Sequence, residues 1–208
     1  MNTENYTFQF LKHTLIINLI SSKSKQTNLM KYLVFITIIF SLIACDQRSD
    51  YERLIQDGQR SDVRHDSLFL GYELGMEQQQ FLDHSWQLNQ EGLITGGTQI
   101  EYRLTDLSYD ARMVFYPHFE NGKIYKMPIE ISYNSWAIWN RELYSEHMIN
   151  DLLEYYENIY GTGFRQVDHP VLNRQVWMKV DGNRKIVIYP KDDMITRVEF
   201  TDLSVQKE

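Results

Sequence analysis

Asn121-Gly122 lies between two expected strands, residues 112–116 and the alternating run Lys123–Tyr133. An Asn-Gly pair accepts the positive φ angles of a tight two-residue turn, so this arrangement is the strongest short-range signal for a β-hairpin. In the second arm Tyr125, Met127, Ile129, Ile131 and Tyr133 point one way, and Lys126, Glu130 and Ser132 the other. Pro128 falls on the polar phase, which predicts a strand, or an end of one, at a sheet edge.

The same reading extends along the chain. A helix is expected over 76–89, with Phe81, Leu82, Ser85, Trp86 and Leu88 on its apolar face and Gly92 ending it. A short run at Leu93-Ile94-Thr95, a Gly96-Gly97 turn and a strand over 99–104 follow. A second helix is marked by Ser145 as N-cap, by an apolar stripe of Ile149, Leu152, Leu153, Tyr156 and Ile159, and by Gly161 and Gly163 at its end. Strands are expected over 164–167, 174–180, 184–189 and 195–201, with Asp181-Gly182 and Lys191-Asp192-Asp193 as turns. Two helices, each ahead of strands joined by hairpin-length connections, predict an α+β class with both helices packed on antiparallel sheet. Gly92 and Gly161 are 69 residues apart and the two hairpin turns are 60 apart, as a duplicated helix-plus-meander unit would give.

Residues 1–44 have a different character. An uncharged, mostly apolar run spans 32–44, preceded by Lys31 and, further upstream, by Lys23 and Lys25. Its 13 residues suit the apolar region of an export signal and fall short of the roughly 20 needed to span a bilayer. It ends on Leu42-Ile43-Ala44-Cys45, and this cysteine is the chain's only one. One reading is a signal-anchor or core helix beside a free thiol. The order of charge, apolar run, small residue and cysteine instead resembles a bacterial lipoprotein signal over residues 30–45. That resemblance implies cleavage before Cys45, a diacylglycerol thioether on its sulfur, often a further acyl chain such as palmitate, and a membrane anchor in the bacterial cell envelope. Met30-Lys31 would make an ordinary signal start, so residues 1–29 are expected to be an over-extended beginning.

Composition narrows the classes. The net charge of −7 includes +3 from the first 44 residues, which hold four Lys and one Glu, so the mature chain carries −10. An acidic domain disfavours nucleic acid as a partner. From Asp46 to Asp66 charges of both signs mix, with Leu54, Ile55 and Val63 as the only aliphatics. A flexible tether over 45–66 is expected, reaching roughly 25 Å, with room for a short helical turn around Tyr51–Ile55. One domain over 67–208 then completes the organisation. Gly75-Met76, followed by a helix and strands, resembles envelope lipoproteins of the outer-membrane-assembly BamE type and beta-lactamase-inhibitor-like repeats over residues 71–133. Glu77 replaces their usual hydroxyl residue, and the helix-to-sheet connection is longer. The resemblance implies a non-catalytic role in binding another envelope protein or in envelope assembly.

No nucleophile elbow surrounds any serine, and no cofactor motif occurs. His65, His84, His118, His147 and His169 form no close metal-binding spacing, although His118 with Glu120 and His147 with Asp151 share faces. No catalytic residues, metal ligands or cofactor are therefore expected. Asp192-Asp193 and Asp181-Gly182-Asn183 read as turns. The segment Asn134-Ser135-Trp136-Ala137-Ile138-Trp139-Asn140 carries two readings. Trp136 and Trp139, flanked by Asn134 and Asn140, can stack on a sugar ring, which would make this a glycan- or small-ligand-binding lipoprotein. Alternatively both indoles plug the gap between strand and helix. The second is the expectation for the packing, since the segment joins two buried faces.

Overall fold

The structure, a computed structural model, describes residues 49–61 and 63–205. The apolar run, Cys45 and residues 1–29 lie outside the described residues.

Nine strands make one sheet, and every paired neighbour is antiparallel. They are β1 (Ile94–Gly96), β2 (Ile100–Leu104), β3 (Ala111–Phe115), β4 (His118–Glu120), β5 (Lys123–Tyr133), β6 (Arg165–His169), β7 (Arg174–Asp181), β8 (Arg184–Pro190) and β9 (Thr196–Asp202). The order across the sheet is β1-β2-β3-β5-β9-β8-β7-β6, with β4 set beside β5. Helices α1 (Asp50–Gln59), α2 (Gln78–Gln90) and α3 (Ser145–Tyr160) complete the described fold with a short 3-10 turn, Arg141–Leu143. The α+β class stands. Each of α2 and α3 precedes an antiparallel meander, and the last strands of the two meanders, β5 and β9, meet side by side.

The strand positions follow the alternation closely except for the unexpected β4, and four further details differ. Pro128 is not at an edge: β5 lies between β3 and β9. On one side pairing with β3 stops at Ile129 and pairing with β4 starts at Lys126, leaving Pro128 in a gap, while on the other side it stands opposite Glu199 of β9. Asn121-Gly122 joins β4 to β5, with φ of 50° and 77°, whereas Asp181-Gly182 joins β7 to β8. Those two turns are therefore not equivalent, and their spacing says nothing about repetition. Ser145 does not cap α3; its hydroxyl donates to the Asp192 carbonyl, and the cap position is Tyr144. Finally, Leu82, Trp86 and Ile159 are exposed, leaving Phe81 and Leu88 as the buried residues of α2.

The largest correction concerns the tether. Residues 50–59 are helix α1, opened by a reciprocal capping box: Ser49 Oγ accepts from the Glu52 N–H, and Glu52 Oε2 accepts from the Ser49 N–H. Among the described residues there are thus three helices rather than two. Strand β8 shows why a third is needed. Ile186 and Ile188 join the main core with Phe81, Leu152, Tyr156 and Phe200, while Val187 joins a second core with Val167, Val176 and Met178. Successive residues of a strand face opposite sides, so β8 is buried on both. Tyr51, Leu54 and Ile55 of α1 cover the second side.

Residues 63–77 run as an ordered strap rather than a linker. Leu68, Phe69, Tyr72 and Leu74 are all buried, and Arg64 reaches Asp202 at 2.9 Å. Asp202 is fully buried yet well satisfied, since it also accepts from Asn183, from the Ser204 N–H and from the Ser204 hydroxyl.

Candidate functional site

The aromatic connector is built from its base outward. The Trp136 indole N–H donates to the Asp193 carbonyl at 3.3 Å, and its ring lies 5.8 Å from that of Tyr144. The Tyr144 hydroxyl donates to the Ile138 carbonyl at 2.7 Å, and Asn140 Oδ1 accepts from the Glu142 N–H. Trp136 is half-buried against the main core, as the packing expectation requires. Trp139 is not: it is 85% exposed, beside an Ile138 that is 70% exposed. The two indoles therefore do different things, and neither a double core plug nor a two-ring platform describes them. Asn134 is exposed and its N–H donates to the Asp110 carbonyl, which places it at the strand end rather than at the tip. Two hydrogen bonds at the base hold one apolar tip, Ile138-Trp139, out in solvent.

The second concentration of chemistry lies between α1 and the sheet, where no motif pointed. A cavity of about 470 Å³ is lined by Tyr51, Glu52, Lys126, His169, Lys185 and Glu199, together with Tyr189 and residues 170–172. Lys126 and Lys185 come from β5 and β8 and stand opposite the same β9 residue, Thr201. Lys126 pairs with Glu199 at 2.9 Å. Lys185 is 5% exposed and donates to the Tyr51 hydroxyl at 3.1 Å. His169 Nδ1 accepts from the N–H groups of Val171 and Leu172, which leaves the ring hydrogen on Nε2. Burial, and then the Lys185 charge, hold the His169 imidazole below its ordinary pKa. A neutral donor imidazole and a nearly buried ammonium thus share one wall. His169 appeared as an isolated histidine and Tyr51 as part of a tether. Only the burial of β8 on both faces, visible as consecutive Ile186-Val187-Ile188, signals that something covers this side.

The other sequence candidates have structural partners. Asp151, on one face with His147, accepts instead from the Tyr133 hydroxyl at 2.6 Å and from the Ser108 N–H. Burial first, then that bond to Asp151, raises the Tyr133 pKa, while Tyr155 is pushed up to about 12 chiefly by burial. The His118 ring stands edge-on to Tyr125 at 6.4 Å. His84 Nε2 lies 2.7 Å from the Leu70 carbonyl. Asp192 Oδ1 accepts from the N–H groups of Met194 and Ile195, as a turn aspartate does. Among the described residues, no three His, Cys, Asp or Glu side chains gather as a metal site.

Compared with protein-family models, with curated proteins and with solved structures, the chain finds no match.

Proposed function

We propose that this chain is a membrane-anchored lipoprotein of the bacterial cell envelope, lipidated on Cys45, whose α+β unit is non-catalytic and binds another envelope protein. The observation that carries the binding role is the Ile138-Trp139 tip, apolar, exposed and fixed at its base by Tyr144 and Trp136. Exposed tryptophan is costly to leave in water and is enriched at the energetic centres of protein interfaces. The anchor rests on the order of charge, apolar run, small residue and cysteine over 30–45. Among the described residues no helix is long and apolar enough to cross a membrane. The α2 helix followed by the meander β1-β2-β3 keeps the order of the assembly-type lipoproteins, and we read the two halves as a duplicated helix-plus-meander unit.

A photoreactive amino acid at position 138, in cells making the full chain, tests the binding role. A discrete adduct with one envelope protein, lost in Trp139→Ala and absent when the probe replaces exposed Leu82, is the expected result. Identical patterns from positions 138 and 82, or no adduct at all, would overturn it.

The alternative is a glycan- or small-ligand-binding lipoprotein. One exposed indole, Trp139, favours it, with Asn140 next in sequence. Saturable binding on a glycan array that Trp139→Ala abolishes would select that reading over the protein partner.

A further inference from the structure

Lys185 is a buried residue, only 5% exposed, and among the described residues its ammonium meets the Tyr51 hydroxyl and no carboxylate. A buried charge without a counter-charge is expensive, and a phenol oxygen on one side offsets only part of that cost. The nearby acids are already engaged: Glu199 holds Lys126, and Glu52 accepts from the Ser49 N–H in the helix cap. Three side chains that line this cavity keep unused donors. Lys185 has two further N–H groups, the Tyr51 hydroxyl keeps its own hydrogen after accepting from Lys185, and His169 keeps Nε2–H. Close by, the Thr201 hydroxyl, between the two lysines on the sheet, is buried without any partner.

We propose that this cavity binds a phosphate group, with Lys185 as its principal counter-charge and His169, Tyr51 and Lys126 as its other contacts. The donor set is what an oxyanion needs: an ammonium held in place by burial, a neutral N–H donor and a hydroxyl, on three different elements. About 470 Å³ accommodates a phosphate with a small organic group attached. Glu199 and Glu52, both in the lining, set the limit of the site, since each repels an anion; Lys126 offsets Glu199 by pairing with it. The phosphate site stands on these residues and not on the aromatic tip; only the lipid-headgroup source of the phosphate rests on the proposed anchor at Cys45. Ser49 lies only four residues beyond Cys45, a span of at most about 14 Å, so the phosphate of a lipid headgroup is within reach as readily as a soluble phosphate compound.

The test uses the full chain in detergent micelles, with its histidines isotopically labelled and their resonances followed by NMR. Inorganic phosphate is added in one arm and phosphatidylglycerol nanodiscs in the other. A saturable shift of the His169 resonances at millimolar phosphate or below, with its titration midpoint moved to higher pH, is expected in at least one arm. Phosphate alone acting assigns the site to soluble phosphate compounds; nanodiscs acting, with or without phosphate, admits the lipid headgroup. Lys185→Met should abolish the shift and Lys185→Arg should retain much of it, with thermal melts confirming that both variants fold. If Lys185→Met does not fold, Lys126→Met takes its place, with weakened rather than lost binding expected. No shift in either arm, or a shift that the Lys variants leave unchanged, would overturn the proposal.

Discussion

Gly58 of α1 and Val180 of β7 approach so closely that a Cβ on residue 58 would stand 2.2 Å from the Val180 Cγ1. The glycine is what lets the helix settle onto the sheet, and a spacer would have no need of it. Gly58→Ala gains helix propensity but forces the helix outward, and overpacking of this kind costs about 1–3 kcal/mol. Urea melts should show the loss, and hydrogen exchange should show residues 50–59 opening first. An Ala variant as stable as the parent, with α1 still protected, would mean that Gly58 and Val180 do not approach this closely.

The two tryptophans of the connector should separate in the same kind of experiment. Trp139→Ala removes a solvated ring and should leave stability within about 0.5 kcal/mol. Trp136→Ala removes a half-buried ring and its bond to the Asp193 carbonyl, for a loss of about 2 kcal/mol. Thermal melts of both variants check this, and equal losses would contradict the division of roles.

His169 gives a pH dependence with a definite sign. Its folded pKa lies below the unfolded value of about 6.5, because burial and then Lys185 oppose its charge, while Glu199 works the other way. Lys126 on the sheet also opposes the charge. The unfolded chain then binds its proton first as pH falls. The contribution is fully present above about pH 6.5 and is lost as pH drops from there through the folded value. His169→Asn keeps an acceptor for the Val171 and Leu172 N–H groups but does not titrate, so it should flatten the slope in that window. Chemical melts from about pH 7.5 to pH 5.5 in phosphate-free buffer measure it. Parallel slopes in parent and variant would contradict the assignment.

Alternation made the sheet legible. Lys123–Tyr133 forms over the residues expected, and the later strands begin and end within two residues of their expected bounds. What alternation cannot report is which strands become neighbours, so the central place of β5 and the gap at Pro128 were hidden. Helix α1 was missed because its few apolar residues sit among mixed charges. The signals were nonetheless present: Ser49 with Glu52 is a capping box, and Tyr51, Leu54 and Ile55 keep helical spacing. Of the candidate site, Trp136 and Trp139 were visible as residues, but their opposite exposures depend on Tyr144 and Asp193, which lie in other elements. The cavity was not legible at all. Lys126, His169 and Lys185 come from three strands, and only pairing brings Lys126 and Lys185 to either side of Thr201.

Cys45 is the point on which the envelope account turns. Replacing it with Ser should leave the precursor uncleaved, and starting translation at Met30 should leave export and lipidation unchanged. The direct measurement is the intact mass of the protein recovered from the bacterial envelope. The account predicts a chain beginning at Cys45 and heavier than its residues by a diacylglyceryl group, with or without a further acyl chain. An unmodified mass, or a chain that begins elsewhere, would contradict it.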